Sequence, residues 1–203
     1  MLVGAVLGWR WYTSSRTLEV ENRSEITEQE NLFIPFHNAS YGYSLLFPKT
    51  WFLGYDTETS EDALTIRIVS NERDLHIVDE ALPIGVHVEI SVEKFTDPFF
   101  KSVDANFPII LSVQDWIAWL DTQGTKAAAL AVRTNLTVAG QPAVLSVWED
   151  PQVPVAQRAR SIQFLSPDKS KVFIIHYMCP NPHYTEHLSE FEGIIKSFNF
   201  TAE

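Results

Sequence analysis

Several residue types that mark particular functions are scarce in this chain of 203 residues. Cys179 is the single cysteine, so no disulfide can form within the chain, and we expect it to be a buried apolar residue. Lysine and arginine together number 15 against 26 aspartates and glutamates, which gives a formal net charge of -11. Nucleic-acid binding needs clustered basic side chains that neutralise phosphates. The basic residues of this acidic chain are scattered, so nucleic-acid binding is not the expected function.

Two motifs that carry common enzyme chemistry are also missing. The eight glycines are dispersed, so no glycine-rich loop can cradle a phosphate, and the G-x-S-x-G motif of serine hydrolases does not occur. Hydrophobic residues make up 45% of the chain, which is typical of a globular domain with a packed core. The sequence therefore predicts a folded protein that is not an enzyme and that holds no cofactor.

The N-terminal residues 1–16 are apolar and then aromatic. Residues 2–8 read LVGAVLG, and Trp9, Trp11 and Tyr12 follow them. A run this short cannot span a bilayer, which takes roughly 20 residues, whereas tryptophan and tyrosine are typical of the membrane–water interface. We therefore interpret residues 1–16 as the outer end of a truncated signal anchor, with a hydrophobic arm on a soluble protein as the alternative. Residues 17–37 are polar and acidic and are predicted to be a linker.

Residues 38–203 carry the patterns of an α+β domain. In residues 86–92, VHVEISV, valine and isoleucine alternate with His87, Glu89 and Ser91. A period of two predicts a strand with one apolar face and one wetter face, as in antiparallel sheets. Strand patterns also occupy residues 41–47, 63–69, 160–165 and 171–178, and residues 135–149 predict a hairpin that turns at AGQP. We expect a central antiparallel sheet flanked by helices.

Two helices are predicted from apolar residues at helical spacing. The first covers residues 112–122, where Trp116 lies on the apolar stripe and Trp119 on its shoulder. We expect Trp119 to be extra core, and an exposed Trp119 would instead mark a partner site. The second follows Pro182 and leads into a short last strand. Its shared face consists of Tyr184, Leu188, Phe191, Ile195 and Phe198.

Four segments resemble the PsbP-like family in their order and spacing. They are GYSLLFPKTW at 42–51, ISVEKF at 90–95, VAGQPA at 138–143 and FEGIIKSF at 191–198. The resemblance covers roughly residues 38–200. It implies an α/β/α sandwich of the type shared with the Ran-binding Mog proteins, with an antiparallel sheet between helices.

The resemblance leaves two functions open. Many bacterial members of the family are attached to a membrane outside the cytoplasm, which implies a non-enzymatic extracytoplasmic binding or assembly module with an unidentified protein partner. Plant and cyanobacterial members are lumenal, extrinsic subunits of photosystem II that help to retain calcium and chloride, so such a subunit is the alternative. The matched segments consist of expected core and turn positions, and no functional residue is transferred through them.

A second alternative function is a zinc-dependent hydrolase. Residues 183–187, HYTEH, match the H-x-x-E-H pattern of zinc peptidases. On a helix His183 and His187 would share a face that suits two zinc ligands, with Glu186 beside them. A catalytic site needs a third ligand on another element, and only 16 residues follow. We therefore expect a solvated start of the final helix.

The acidic segment 56–62, DTETSED, is a candidate calcium site. Asp56, Glu58, Glu61 and Asp62 offer the carboxylate oxygens that calcium prefers. The segment lacks the regular ligand spacing and the turn glycine of an EF-hand. A solvated loop between two strands is therefore the expected structure, and calcium binding is the alternative.

Overall fold

The computed structural model describes residues 10–13, 32–55, 63–76, 84–123, 130–150, 157–180 and 183–201. The strands are β1 (Arg10–Thr13), β2 (Phe33–Asn38), β3 (Tyr43–Pro48), β4 (Phe52–Tyr55), β5 (Ala63–Val69), β6 (His87–Lys94), β7 (Leu130–Val138), β8 (Gln141–Asp150), β9 (Gln157–Leu165), β10 (Lys171–Pro180) and β11 (Asn199–Phe200). The helices are α1 (Pro98–Val103), α2 (Val113–Gln123) and α3 (Leu188–Ser197), and a short 3-10 helix spans Glu72–His76.

The strands form two sheets. The larger has eight strands in the order β1-β7-β8-β9-β10-β6-β5-β4, and the smaller has the order β11-β3-β2. All pairs are antiparallel except β1 with β7, which are parallel. The predicted antiparallel sheet, the predicted strands and the short last strand are therefore confirmed.

The predicted hairpin forms β7 and β8. Its turn places Ala139 at φ 48° and Gly140 at φ 77°. Two consecutive residues with positive φ are the requirement of a tight hairpin turn that matches the twist of its strands. Glycine meets that requirement without strain, and no atom lies within 4 Å of where a Gly140 side chain would start.

The first face of the eight-stranded sheet is apolar and is covered by α3 and by the three-stranded sheet. Phe191 of α3 packs on Tyr177 of β10 with ring centroids 4.9 Å apart, and Phe198 stacks on Tyr43 of β3 at 5.2 Å. Gly193 allows the Phe33 ring to approach the helix, because a Cβ at Gly193 would lie 2.9 Å from that ring. Fully buried members of this core include Ile66, Ile68, Val88, Ile90, Phe173, Ile175 and Ile194.

The second face is covered over part of its area by α1 and α2. Asp97 caps α1 by accepting the Phe99 amide at 2.7 Å, and Phe100 of α1 meets Trp116 and Trp119 of α2 edge to face. Both tryptophans are buried, so the prediction that Trp119 is core is confirmed. This second core consists of Phe100, Ile110, Val113, Trp116, Ile117, Trp119, Val144, Leu165, Val172 and Ile174. Helices thus lie on both sides of the sheet, and the predicted α/β/α arrangement is confirmed.

Three boundaries differ from the predictions. The predicted linker, residues 17–37, overlaps β2, because Phe33–Asn38 pairs with β3 and belongs to the domain. Arg10–Thr13 was assigned to the anchor and is instead an edge strand of the larger sheet, while residues 1–9 and 14–16 lie outside the described residues. In the described ranges no helix is both long and apolar enough to cross a membrane.

The third difference concerns the final helix. It begins at Leu188, and the HYTEH segment forms turns before it, with His187 as the N-cap residue. His183 and His187 therefore do not share a helix face. Residues 184–187 form turns that lead into α3 and are not the first turn of a longer helix.

Candidate functional site

A continuous row of polar residues crosses six strands on the second face of the large sheet. Strand register places each member directly opposite the next. We call it the polar row, and its members are Arg67 on β5, Glu89 on β6, His176 on β10, Ser161 on β9, Ser146 on β8 and Arg133 on β7. Their neighbours along each strand point to the other face, because side chains alternate between faces. The apolar first face and the polar row thus use alternate residues of the same strands.

One half of the polar row is tied to helix α2. Arg133 donates to both carboxylate oxygens of Asp121 at 2.7 and 3.0 Å, in a paired geometry that suits guanidinium and carboxylate. Trp116 donates its Nε1–H to Gln163 Oε1 at 2.9 Å, and Gln163 Nε2 donates to Ser161 at 3.2 Å. These buried bonds fix the helix on the sheet, so this half of the row has a structural role.

The other half of the row contains charged groups around a buried histidine. Glu89 Oε2 lies 3.8 Å from His87 Nε2 and 3.7 Å from Arg67 Nε. The His87 side chain is 7% exposed, and its Nε2 has no hydrogen-bond partner. His176 lies across from Glu89 on the adjacent strand and is half-buried. A carboxylate is thus placed between two imidazole rings and a guanidinium group.

The surroundings keep both imidazoles uncharged at neutral pH. Burial and, to a smaller extent, the Arg67 charge together lower the pKa of His87 to about 4, although the Asp74 carboxylate opposes the shift. Burial also lowers the pKa of His176 to about 4, with His87 adding repulsion. Glu93, two residues beyond Ser91 on β6, has its pKa raised to about 7 by burial and then by Asp97. This region of the sheet can therefore exchange protons in mildly acidic solution.

An exposed apolar segment lies at the entrance to α2 on the same side of the molecule as α1. Ile109 is 84% exposed and Leu111 is 60% exposed, whereas Ile110 between them is buried. We call residues 108–111 the apolar loop. Phe107 anchors it by stacking on Phe100 with centroids 4.7 Å apart. At its other end, the Leu111 amide donates to Asp115 Oδ2 at 3.1 Å, so both ends of the loop are held.

The predicted zinc ligands are engaged with carboxylates instead. His183 Nδ1 lies 2.8 Å from Glu186 Oε2, and His187 Nδ1 lies 3.3 Å from Glu190 Oε1. The His183 side chain is 56% exposed. Among the described residues no group of three or more His, Cys, Asp or Glu side chains could hold a metal ion. The structure therefore does not bring His183 and His187 together with a third ligand within the part it describes.

The remaining candidates have different outcomes. Asp56, Glu58, Glu61 and Asp62 lie outside the described residues, so calcium binding stays a prediction. Cys179 is buried as expected, and burial raises the pKa of its thiol to about 11, which leaves the nucleophilic thiolate unfavourable at neutral pH.

The comparisons with known proteins identify the fold. No protein-family model and no curated protein matches the chain. A crystal structure from Bacteroides thetaiotaomicron is similar with a TM-score of 0.52 and 11% identity, over 83% of this chain and 48% of that one, so this chain spans about half of its length. LpqN of Mycobacterium tuberculosis is similar with a TM-score of 0.50 and 13% identity, over 84% of this chain and 91% of LpqN.

Cyanobacterial PsbP from Synechocystis is also similar, with a TM-score of 0.45 and 11% identity over 83% of this chain and 92% of that one. At such low identity these likenesses show the fold alone. The predicted α+β fold, a central antiparallel sheet with helices on both sides, is confirmed by the element order and sheet topology and is shared with the two structures that have the higher TM-scores.

Sequence reasoning missed the polar row as a unit. Its signal is present in each strand as a polar residue between apolar ones, such as Arg67 between Ile66 and Ile68. The alternation at His87 and Glu89 did predict a wetter second face. Strand register brings the members of the polar row together, and the sequence of a single strand does not determine that register.

Proposed function

We propose that this chain is a non-enzymatic, extracytoplasmic binding module that recognises a protein partner through the apolar loop. The observation that carries the proposal is the paired exposure of Ile109 and Leu111 on an anchored segment. Isolated apolar residues are common on protein surfaces. The large side chains of Ile109 and Leu111 flank the buried Ile110, and both point away from the core. A partner that covered them would bury the apolar surface of both.

The anchoring of the loop favours binding. Burial of one aliphatic side chain of this size is worth about 1.5–3 kcal/mol. A loop that is already ordered loses little conformational freedom on association, so more of that gain appears as affinity. The stack of Phe107 on Phe100 and the bond from Leu111 to Asp115 supply this order.

Charge beside the loop indicates the chemistry of the partner. Asp115 is exposed, and hydrogen bonds from Ser112 and from the Leu111 backbone lower the pKa of its carboxyl group. The carboxylate therefore stays ionised next to Leu111, on a chain whose formal net charge is -11. The partner that fits is a protein surface with an apolar pocket and a lysine or arginine at its rim.

The extracytoplasmic location rests on two supports. One is the likeness to LpqN, which is described as involved in cell envelope biogenesis. The other is the apolar and aromatic N-terminal sequence. Residues before Arg10 would attach the chain to a membrane. A reporter that works only in the cytoplasm, fused to the C-terminus of the full-length gene product, tests the location. Strong reporter activity would contradict it.

Binding through the loop is tested in two stages. A photo-crosslinking residue at position 109 captures the partner in the native host, and the purified partner is then titrated against variants of the full chain. We expect Ile109→Ser with Leu111→Ser to weaken binding by about 2–4 kcal/mol. Leu32→Ser is the matched control, because Leu32 is 64% exposed at a different site. Equal weakening by the control, or unchanged binding of the loop variant, would overturn the proposal.

Metal analysis separates this proposal from the zinc hydrolase. Purified full-length protein is assayed for bound zinc before and after the substitution His187→Ala. The binding-module proposal expects no stoichiometric zinc. One zinc per chain that disappears in His187→Ala would instead favour a metal-dependent enzyme.

A further inference from the structure

The charged half of the polar row contains more ionisable groups than a structural role requires. Within the described residues four charged or titratable groups from four elements face His87: Arg67 on β5, Asp74 on the 3-10 helix, Glu89 on β6 and His176 on β10. We call these five residues the histidine cluster. His87 Nε2 is buried without a hydrogen bond, and Glu89 Oε2 lies 3.8 Å from it. That separation is longer than a hydrogen bond.

The balance of charge in the cluster makes the uptake of one proton less unfavourable than the uptake of two. With both imidazoles neutral, Arg67 contributes one positive charge and Asp74 and Glu89 contribute one negative charge each. One proton on an imidazole makes the cluster neutral, whereas a second makes it positive in a buried setting, which is unfavourable. Two interacting sites of this kind titrate in separate steps.

Position decides which histidine takes the first proton. His87 is close to both carboxylates, since Asp74 and Glu89 each act on it. His176 faces Glu89 across the strand pair and is repelled by a charge on His87. An imidazolium at His87 is therefore stabilised by two carboxylates, and one at His176 by a single carboxylate.

Asp74 connects the cluster to a neighbouring segment. Its carboxylate is fully buried and accepts the Ile84 amide at 3.0 Å and the Gly85 amide at 2.8 Å. These bonds hold the start of the β6 segment against the 3-10 helix. A positive charge on His87 would compete with the two amides for the same carboxylate.

We propose that the histidine cluster is a single-proton switch. As the solution becomes acidic, His87 takes up one proton, pairs with Glu89 and Asp74, and weakens the hold of Asp74 on the Ile84 and Gly85 amides. His176 remains neutral until a lower pH because the first proton repels the second. The output of the switch is the conformation of residues 84–86, immediately before β6.

Nuclear magnetic resonance of the full chain between pH 8 and about pH 3 tests the switch. The probes are the ring protons of His87 and His176 and the amide signals of Ile84 and Gly85. We expect His87 to titrate before His176, and the two amide signals to move with the His87 midpoint. His176→Gln should leave the His87 midpoint nearly unchanged, whereas His87→Gln should raise the His176 midpoint by about 0.5 pH unit or more, since it removes the repulsion. His87→Gln should abolish the amide transition.

The control and the contrary outcomes are defined by the same titration. His183→Gln removes an exposed histidine outside the cluster and should leave both midpoints unchanged. An amide transition that persists in His87→Gln would overturn the proposal, because the transition would then not depend on His87. Midpoints of His87 and His176 that are independent of each other would also overturn it. So would unfolding of the wild-type chain before His87 takes up its proton.

Discussion

The two faces of the large sheet are made by alternate residues of the same strands, yet they have different physical characters. On β10, Phe173, Ile175 and Tyr177 enter an apolar core that α3 and the small sheet cover completely. On the opposite face of that strand, Val172 and Ile174 pack under α2, whereas His176 belongs to the polar row. The first face therefore holds the domain together, and the second combines packing with ionisable groups.

The difference between the faces follows from what covers them. Ring contacts on the first face are continuous from Tyr43 through Phe198 and Phe164. On the second face, the buried polar groups of the α2 side are satisfied by Asp121 and Trp116, while His87 Nε2 is not satisfied. An apolar core gives stability that is nearly independent of pH, whereas buried ionisable groups make stability depend on pH. Each of the following experiments perturbs one face.

Removal of an aromatic ring from the first face should have the largest effect. Phe198 is 2% exposed, stacks on Tyr43 at 5.2 Å and meets Phe164 edge to face at 5.1 Å. We expect Phe198→Ala to lower the free energy of unfolding by about 3–5 kcal/mol, the range for a buried phenylalanine. Denaturant melts at neutral pH measure it. His183→Ala is the control and should cost under about 0.5 kcal/mol, because that side chain is 56% exposed. The reverse ranking would mean that the HYTEH segment, and not the closing core, is structural.

The buried ion pair of the second face should come next. Arg133 is 6% exposed in its side chain and is neutralised by Asp121. Asp121→Ala would remove the carboxylate that neutralises the buried guanidinium and should lower the free energy of unfolding by about 3 kcal/mol. Asp121→Leu combined with Arg133→Met removes both charges and should cost less than the single change. Chemical denaturation of the three proteins gives the comparison. A double variant that is less stable than Asp121→Ala would contradict this, because the loss of the pair would then cost more than a buried guanidinium that lacks the Asp121 carboxylate.

Glu93 on the second face should give a smaller effect that depends on pH. Its folded pKa of about 7 exceeds the ordinary glutamate value of 4.5, so its contribution to stability is present below pH 4.5 and is lost as the pH rises through 7. Glu93→Gln should therefore stabilise the domain at pH 8 relative to its effect at pH 4.5. Because Glu93 is half-buried and partly screened by water, we expect about 1 kcal/mol. Melts at the two pH values test this. An equal effect at both would mean that the carboxyl group titrates normally.

The sequence was sufficient for features that are local. The alternation around His87 and Glu89 predicts both a strand and a polar second face, and the helical spacing around Trp116 predicts α2. The turn at Gly140 is predicted because few residues accept positive φ. The buried position of Trp119 follows from its place on the shoulder of the helix stripe. In each case the decisive information lies within a few residues.

Features that depend on strand order could not be predicted from one sequence. Glu89 meets His176 because β6 lies beside β10, although the two residues are far apart in the chain. Arg133 meets Asp121 across the segment 124–129, and nothing in the local pattern of either residue indicates the pair. The start of α3 was also misplaced, since the apolar spacing of Tyr184 continues into a turn that is not helical. Tertiary packing sets the register between distant strands and the residue at which a helix begins. The periodicity of a single segment carries no information on that packing.

The pH dependence of stability tests the contrast between the faces most directly. The folded pKa values of His87 and His176 are about 4, below the ordinary histidine value of 6.5, so their contribution to stability is present above pH 6.5 and is lost as the pH falls toward 4. Each histidine contributes up to about 1.4 kcal/mol per pH unit in that window. We predict that the stability of His87→Gln with His176→Gln, relative to wild type, rises steadily from pH 6.5 to pH 4.5, and that Phe198→Ala shifts stability equally at every pH. A double variant with the wild-type slope, or a Phe198→Ala variant that changes the slope, would contradict the account.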